Sequence, residues 1–172
     1  MPANDAPAAA ASAASSADVR PHTFTRPYAS ARALDLRAVQ LHGDEDALYI
    51  RALRGLLPEE TEIWAAAAVG REVPRPRPGA DRTLFDSQIG GRSGGTGIAF
   101  DWARLEGRAE VGRSLLAGGL RPANARAASR VGAFALDVGS GVEMAPGRKD
   151  AGRLHAFFEA LRLPVRGEVT CA

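Results

Sequence analysis

The feature that most restricts what this chain can fold into is a series of short strands, apolar on both faces, that take turns with helical stretches. "RAVQLHG" (37–43), "TEIWAAAAVG" (61–70), the run ending Thr83-Leu84-Phe85-Asp86, "RSLLAGG" (113–119) and "AFALDVGSG" (133–141) show no strict apolar/polar alternation. Strands of that kind are enclosed by helices, and strands that alternate with helices form a parallel sheet. The intervening segments supply the helices. In "DEDALYIRALRGLLP", Tyr49, Leu53, Leu56 and Leu57 recur at i, i+4, i+7 and i+8, with Asp44 as the expected cap and Pro58 as the stop. "FDWARLEG" predicts a short helix. "RPANARAASRVG" (121–132) predicts a helix with Pro122 in its first turn and Gly132 closing it. "KDAGRLHAFFEALR" predicts a last helix with Leu154, Phe157, Phe158 and Leu161 on one face.

Polar residues and glycines collect at the ends of these strands: His42-Gly43, Asp86, Gly118-Gly119 and Asp137 to Gly141. An apolar body with one polar rim is what a β/α barrel presents at the carboxyl ends of its strands, where its sites form. Asp86 is the most pointed case. It follows the buried run Thr83 to Phe85 and precedes Gly90, Gly91, Gly94, Gly95 and Gly97. Taken alone, the residues leave two roles open for it, capping of loop amides or chemistry. Other glycine-loop motifs fail on spacing. A nucleotide phosphate loop needs Lys where Thr96 stands, and a dinucleotide fingerprint needs a further Gly near Phe100.

The bulk composition narrows the function. Of 172 residues, 45% are hydrophobic and 24% charged, the balance of a globular α/β domain rather than a coiled coil or collagen. Twenty-two basic residues against 20 acidic give a net charge of only +2, which supplies no electrostatic footprint for nucleic acid. The "RPRP" at 75–78 is expected to be a stiff, solvated connection. His22, His42 and His155 stand far apart and Cys171 is the single cysteine, so neither a metal site nor a disulfide framework is expected. No stretch reaches the apolar length of a membrane span, and the first residues lack the basic start of a signal peptide. A cytoplasmic location and no cofactor are the expectation. Residues 1–28 are Ala-rich, with nine Ala among the first 17, and read as a disordered tail or linker.

"VQLHGDE", "FDSQIGGRSGGTGIAFDW", "LAGGLRPANA" and "LDVGSGVEMAPGRKD" occur in an order and spacing that resembles the phosphoribosylanthranilate isomerase family of tryptophan biosynthesis, from about Ala29 to Leu163. "DALYIRALRGLLPEETEIW" looks most like the isomerase half of chains fused to indole-glycerol-phosphate synthase. The resemblance implies a (β/α)₈ barrel, of which this chain would hold about strands four to eight. It implies the Amadori rearrangement of phosphoribosylanthranilate to carboxyphenylamino-deoxyribulose phosphate, with Asp86 as the general acid that protonates the ribose ring oxygen. Gln40, His42, Gly95 and Asp137 become expected substrate-binding residues. Gly118, Gly119, Gly139, Ser140 and Gly141 become the expected phosphate clasp, whose backbone amides donate to the dianion. The family commonly has Ser or Asn where this chain has Gly139.

A larger departure is at the start. The family opens with a strand ending Lys-Ile-Cys-Gly, whose cysteine is the general base, and its second strand brings an Arg for the anthranilate carboxylate; residues 1–36 contain neither. The expected organization is a tail (1–28), a partial barrel (29–163) and a C-terminal tail (164–172) that carries Cys171. Five strands leave open edges and a partly wet interior, which predicts pairing with a complementing chain or self-association. Two functions are therefore expected as alternatives. One is an isomerase completed by another chain or an upstream segment. The other is a non-catalytic fragment that binds phosphate or assembles.

Overall fold

The computed structural model describes residues 31, 33–89, 92–93 and 100–162. Its centre is a sheet of five parallel strands in the order β1 (Ala38–Leu41), β2 (Glu62–Val69), β3 (Arg82–Ile89), β5 (Leu115–Leu116), β6 (Ala135–Leu136). Each strand pairs with the next in sequence, the arrangement of one arc of a β/α barrel. A short antiparallel arm, β4 (Arg92–Ser93), folds back on the end of β3. Between the strands lie α1 (Ala47–Arg54), a 3₁₀ turn at Trp102–Leu105 in place of the predicted helix, and α2 (Pro122–Ser129). A hairpin of β7 (Glu143–Ala145) and β8 (Arg148–Lys149), not anticipated from the sequence, leads into α3 (Ala151–Arg162). Among the described residues no helix is long and apolar enough to cross a membrane.

Strand periodicity divides the side chains into two sets. On the helix side, Ile63 joins Leu41, Ile50, Leu53 and Leu57, while Ala67, Val69, Phe85 and Leu116 pack with Ala125, Ala128 and Phe157. On the opposite side, Ala66, Leu84, Leu115 and Ala117 form a separate buried cluster flanked by Trp64 and Ala135. These four are no more than 9% exposed, so at this level the inner face is drier than the count of strands suggests. Both faces are thus apolar, as the sequence predicts. Edge strands β1 and β6 each have one neighbour among the described residues.

Three local expectations change. The α1 cap is Asp46 rather than Asp44: its Oδ1 accepts from Tyr49 N at 2.8 Å. Because α1 stops at Gly55, Leu56 lies past the helical face and is 43% exposed, and Ile50 takes the place next to Leu53. On α3, Phe157 is buried and Phe158 meets it edge-on at 6.0 Å while remaining 42% exposed.

At the amino ends of the strands, the face away from the helices is closed by polar groups. Arg82 pairs with Glu62 through Nε–Oε2 at 2.7 Å and Nη2–Oε1 at 2.9 Å, Trp64 Nε1 donates to Glu62 Oε2 at 2.6 Å, and the Arg82 guanidinium lies 3.5 Å from the centre of the Phe134 ring. The Arg82 bond holds the Glu62 carboxyl below its ordinary range. Next to it, Asp81 Oδ2 accepts from Ile63 N at 2.7 Å and from Arg54. Asp81→Ala should cost about 1–3 kcal/mol, because the Ile63 amide loses its acceptor. The exposed Arg54 pair itself adds little. Urea denaturation of the variant beside Arg54→Ala checks this: an Arg54 effect equal to that of Asp81 would place the stabilization in the ion pair instead.

Candidate active site

Alternation decides which residues face the cavity. In β3, Leu84 belongs to the inner apolar cluster, so Asp86, two residues on, stands on the same face one layer higher. The same step carries Ala135 to Asp137. On β1, Leu41 faces α1, so Gln40 and His42 fall on the inner face as well. The register sets the height: Ala68 is opposite Asp86, and the Phe85 carbonyl accepts from Ala117 N at 2.8 Å. Asp137 N donates to Leu116 O at 2.9 Å.

Asp86 is not the last residue of its strand. β3 runs to Ile89, but the ladder with β2 ends at Val69 opposite Ser87 and the ladder with β5 ends at Leu116 opposite Phe85. The acid therefore sits where the parallel sheet ends, and beyond it β3 continues with β4 alone.

A cavity of about 120 Å³ is lined by Asp86, Ala117, Gly118, Gly119, Leu120, Asp137, Gly139, Ser140 and Gly141. It gathers the expected acid, one expected substrate residue and the five residues of the expected phosphate clasp. A neighbouring cavity of about 200 Å³ shares Asp86 and is lined by His42, Gly43, Asp44, Ala66, Ala68, Arg77 and Ser87. Gln40 lines neither; its Nε2 donates to His42 Nδ1 at 3.1 Å, which leaves the proton of a neutral ring on Nε2. Gly95 and Cys171 lie outside the described residues.

Close approach explains two of the glycines. Gly118 has φ +81°, and a Cβ there would stand 2.3 Å from Ser87 Oγ, 2.4 Å from Ser87 N and 2.6 Å from Asp86 Oδ1. A Cβ on Gly141 would stand 1.7 Å from the Leu120 carbonyl oxygen. At Gly139 a Cβ would meet nothing within 4 Å, so packing does not impose the lack of a side chain there.

The surroundings of the acid raise its affinity for a proton. Asp86 Oδ1 is buried with no hydrogen-bond partner among the described residues. Burial is the main cause that raises the Asp86 carboxyl above its ordinary value; His42 and the Ser87 amide pull it down, and Asp137 pushes it up. Asp137 is raised as well, chiefly by burial, against His42 and Lys149.

Sequence reasoning missed three residues here. Lys149, the chain's one lysine, donates to Gly139 O and to Glu143 Oε1, both at 2.9 Å. Its signal was that singularity, beside the "GVEMAPGRKD" glycines. Arg77 and Glu45 form a pair at 3.1 Å in which the Glu45 side chain is 1% exposed. The "RPRP" stretch is thus not simply solvated: Arg75 is exposed, but Arg77 turns inward. Among the described residues no group of three or more His, Cys, Asp or Glu is placed to hold a metal.

Known proteins share this architecture. A solved structure of TrpF from Jonesia denitrificans superposes with a TM-score of 0.62 at 31% identity, covering 83% of this chain and 67% of that one. A crystal structure of phosphoribosyl anthranilate isomerase in complex with reduced 1-(o-carboxyphenylamino)-1-deoxyribulose 5-phosphate superposes with a TM-score of 0.55 at 30% identity, covering 76% of this chain and 62% of that one. In sequence, the chain is 47% identical over 130 residues to the tryptophan biosynthesis protein TrpCF of Vibrio cholerae, covering 75% of this chain. It spans 27% of that relative's length. A family model described as N-(5'phosphoribosyl)anthranilate (PRA) isomerase matches residues 28–160. With the parallel arc, the match over most of the chain and this superposition in agreement, the chain belongs to the N-(5'-phosphoribosyl)anthranilate isomerase family.

Proposed function

We propose that this chain carries the acid and phosphate-binding part of a phosphoribosylanthranilate isomerase site. It works once a segment bearing the first three strands of the barrel, upstream or in a separate chain, completes the sheet along its open edges. One observation carries this: a single cavity brings Asp86 and Asp137 together with the glycine turns 118–119 and 139–141. In the reaction, the protonated Asp86 carboxyl donates to the ribose ring oxygen, the C1′–O bond breaks and a Schiff base forms. Removal of the C2′ proton by a base then gives the enolamine of the product. That base comes with the completing segment. The turns at Gly118-Gly119 and Gly139-Gly141 hold the phosphate through backbone amides. Asp137, His42 with its partner Gln40, and Gly95 contact the remainder of the substrate. Residues 29–163 are the barrel segment in this scheme, flanked by 1–28 and 164–172, and the enzyme works in the cytoplasm without a cofactor.

The test has two arms. Inorganic phosphate titrated into the chain should shift the amides of Gly118, Gly119, Gly139, Ser140 and Gly141; shifts confined to other loops would remove the clasp. Decay of phosphoribosylanthranilate fluorescence should then appear only when a fragment carrying strands one to three is added. Phosphate binding without turnover in the completed assembly would select the non-catalytic alternative.

A further inference from the structure

We propose that Arg77 is a positioning residue of this site: it fixes the loop after β1 and, through that loop, holds the His42 imidazole in the cavity it shares with Asp86. The role rests on the isomerase reading only for what the site is used for. Pro76 and Pro78 set the backbone on either side of Arg77 and offer no N–H, so the residue is presented from a stiff support. Both terminal amino groups of its guanidinium are engaged by the protein. Nη1 donates to Glu45 O at 3.2 Å and Glu45 Oε2 at 3.1 Å, and Nη2 donates to Gly43 O at 2.6 Å and Ala66 O at 3.0 Å. Arg77 thus ties residues 43–45 to Ala66 in the middle of β2, although it borders the cavity. With its fork so occupied, it is a strut rather than an anion receptor.

Glu45 closes the same ring from the other side. Its Oε2 also accepts from Gly43 N at 3.0 Å, and it packs so closely that a Cβ on Gly43 would lie 3.0 Å from Oε1. The loop is therefore held at both the N–H and the carbonyl of Gly43, the residue that follows His42. His42 in turn lines one cavity with Asp86, Asp44 and Arg77 itself. A lysine has the charge but not the planar fork, and one ammonium cannot reach four acceptors spread over two segments.

The experiment uses the whole chain without substrate, so its outcome is independent of whether turnover is ever found. In the unsubstituted chain, the Gly43 amide should exchange with deuterium as slowly as the amides of the β1–β2 ladder; exchange at the rate of an open loop overturns the proposal. The variants are Arg77→Lys and the pair Arg77→Met with Glu45→Met, which removes both charges together so that neither is left buried alone. In each, Gly43 exchange should quicken at least tenfold. The imidazole resonance of His42, which should move on Asp86→Asn in the unsubstituted background, should respond at least threefold less. A side chain that merely stabilizes the fold would lower the denaturation midpoint and leave the His42 response intact, and that result in either folded variant overturns the proposal. Where neither variant folds, the exchange rate of Gly43 in the unsubstituted chain decides.

Discussion

Asp86→Asn is expected to lower turnover of the completed enzyme by about 10²- to 10⁴-fold, the usual contribution of a positioned acid. It should also make the chain more stable near neutral pH. The second effect follows from the first observation about this carboxyl, that burial raises it in the folded state. Below the ordinary carboxylate range, folded and unfolded chains both carry the proton and Asp86 costs nothing. As pH rises, the unfolded state ionizes first and stability falls until the pH passes the raised folded value; above that, the full penalty persists. Asparagine never ionizes, so the variant's advantage should be absent in acid and open with rising pH. Removing the charge also relieves the repulsion with Asp137. Fluorescence-followed turnover and urea midpoints at acid and neutral pH test both halves. Full activity in the variant would take the acid role from Asp86. Lost activity with no gain at neutral pH would mean that the carboxylate is held by a partner that satisfies it. Opposed effects on activity and stability are what a polar group held in an apolar surround for its chemistry should give.

Gly118→Ala is expected to cost about 2–5 kcal/mol, summing about 1–2 for an L-residue in the left-handed region and about 1–3 for overpacking. The methyl would overlap the backbone nitrogen of Ser87 at 2.4 Å, and backbone paired in a ladder cannot swing aside as a side chain can. Gly141→Ala should be comparably severe, its methyl meeting the Leu120 carbonyl oxygen at 1.7 Å. Gly139→Ala is the internal comparison, because its methyl would enter open space. Denaturation midpoints of the three variants should rank 139 well above 118 and 141. Equal midpoints would show that the turns yield easily. Where Gly118→Ala stays folded, Asp86 or Ser87 has been pushed from its place and phosphate-induced shifts at 118–119 should shrink.

The strand and helix order was legible because burial on both faces leaves an unmistakable pattern in β2 and β3, and because helices announce themselves through recurring apolar positions such as Leu53 and Phe157. Asp86 was legible as a candidate for a different reason, the abrupt change from bulky to glycine-rich sequence. What escaped depends on partners distant along the chain. The end of the parallel ladders on β3 is set by where β2 and β5 stop, at Val69 and Leu116, both distant from Asp86 along the chain, and no local signal marks those limits. Arg77 sits between prolines, which ordinarily mark solvent-exposed chain, and only its 32-residue reach to Glu45 makes it a structural cation. The choice between Asp44 and Asp46 as a cap lies within one acidic run, where composition is uniform and only the bond from Tyr49 N to Asp46 Oδ1 marks the one that caps.

Because side chains on a strand return to the same face every second residue, the cavity can be entered from the sheet only at discrete addresses. On the layer that holds Asp86, two of those addresses carry alanine: Ala68, its registered partner on β2, and Ala117, which follows β5. Both already line a cavity with Asp86, and neither uses more than a methyl group to do so. They differ in room: Ala68 is exposed, whereas Ala117 is closed into the apolar cluster with Leu84 and Leu115, so one blank position on rigid backbone lies beside the acid. A polar side chain written at Ala68 would enter the cavity beside Asp86 without any change of loop, so that the surroundings of this carboxyl could be altered by editing one letter in the sheet and leaving the rim untouched.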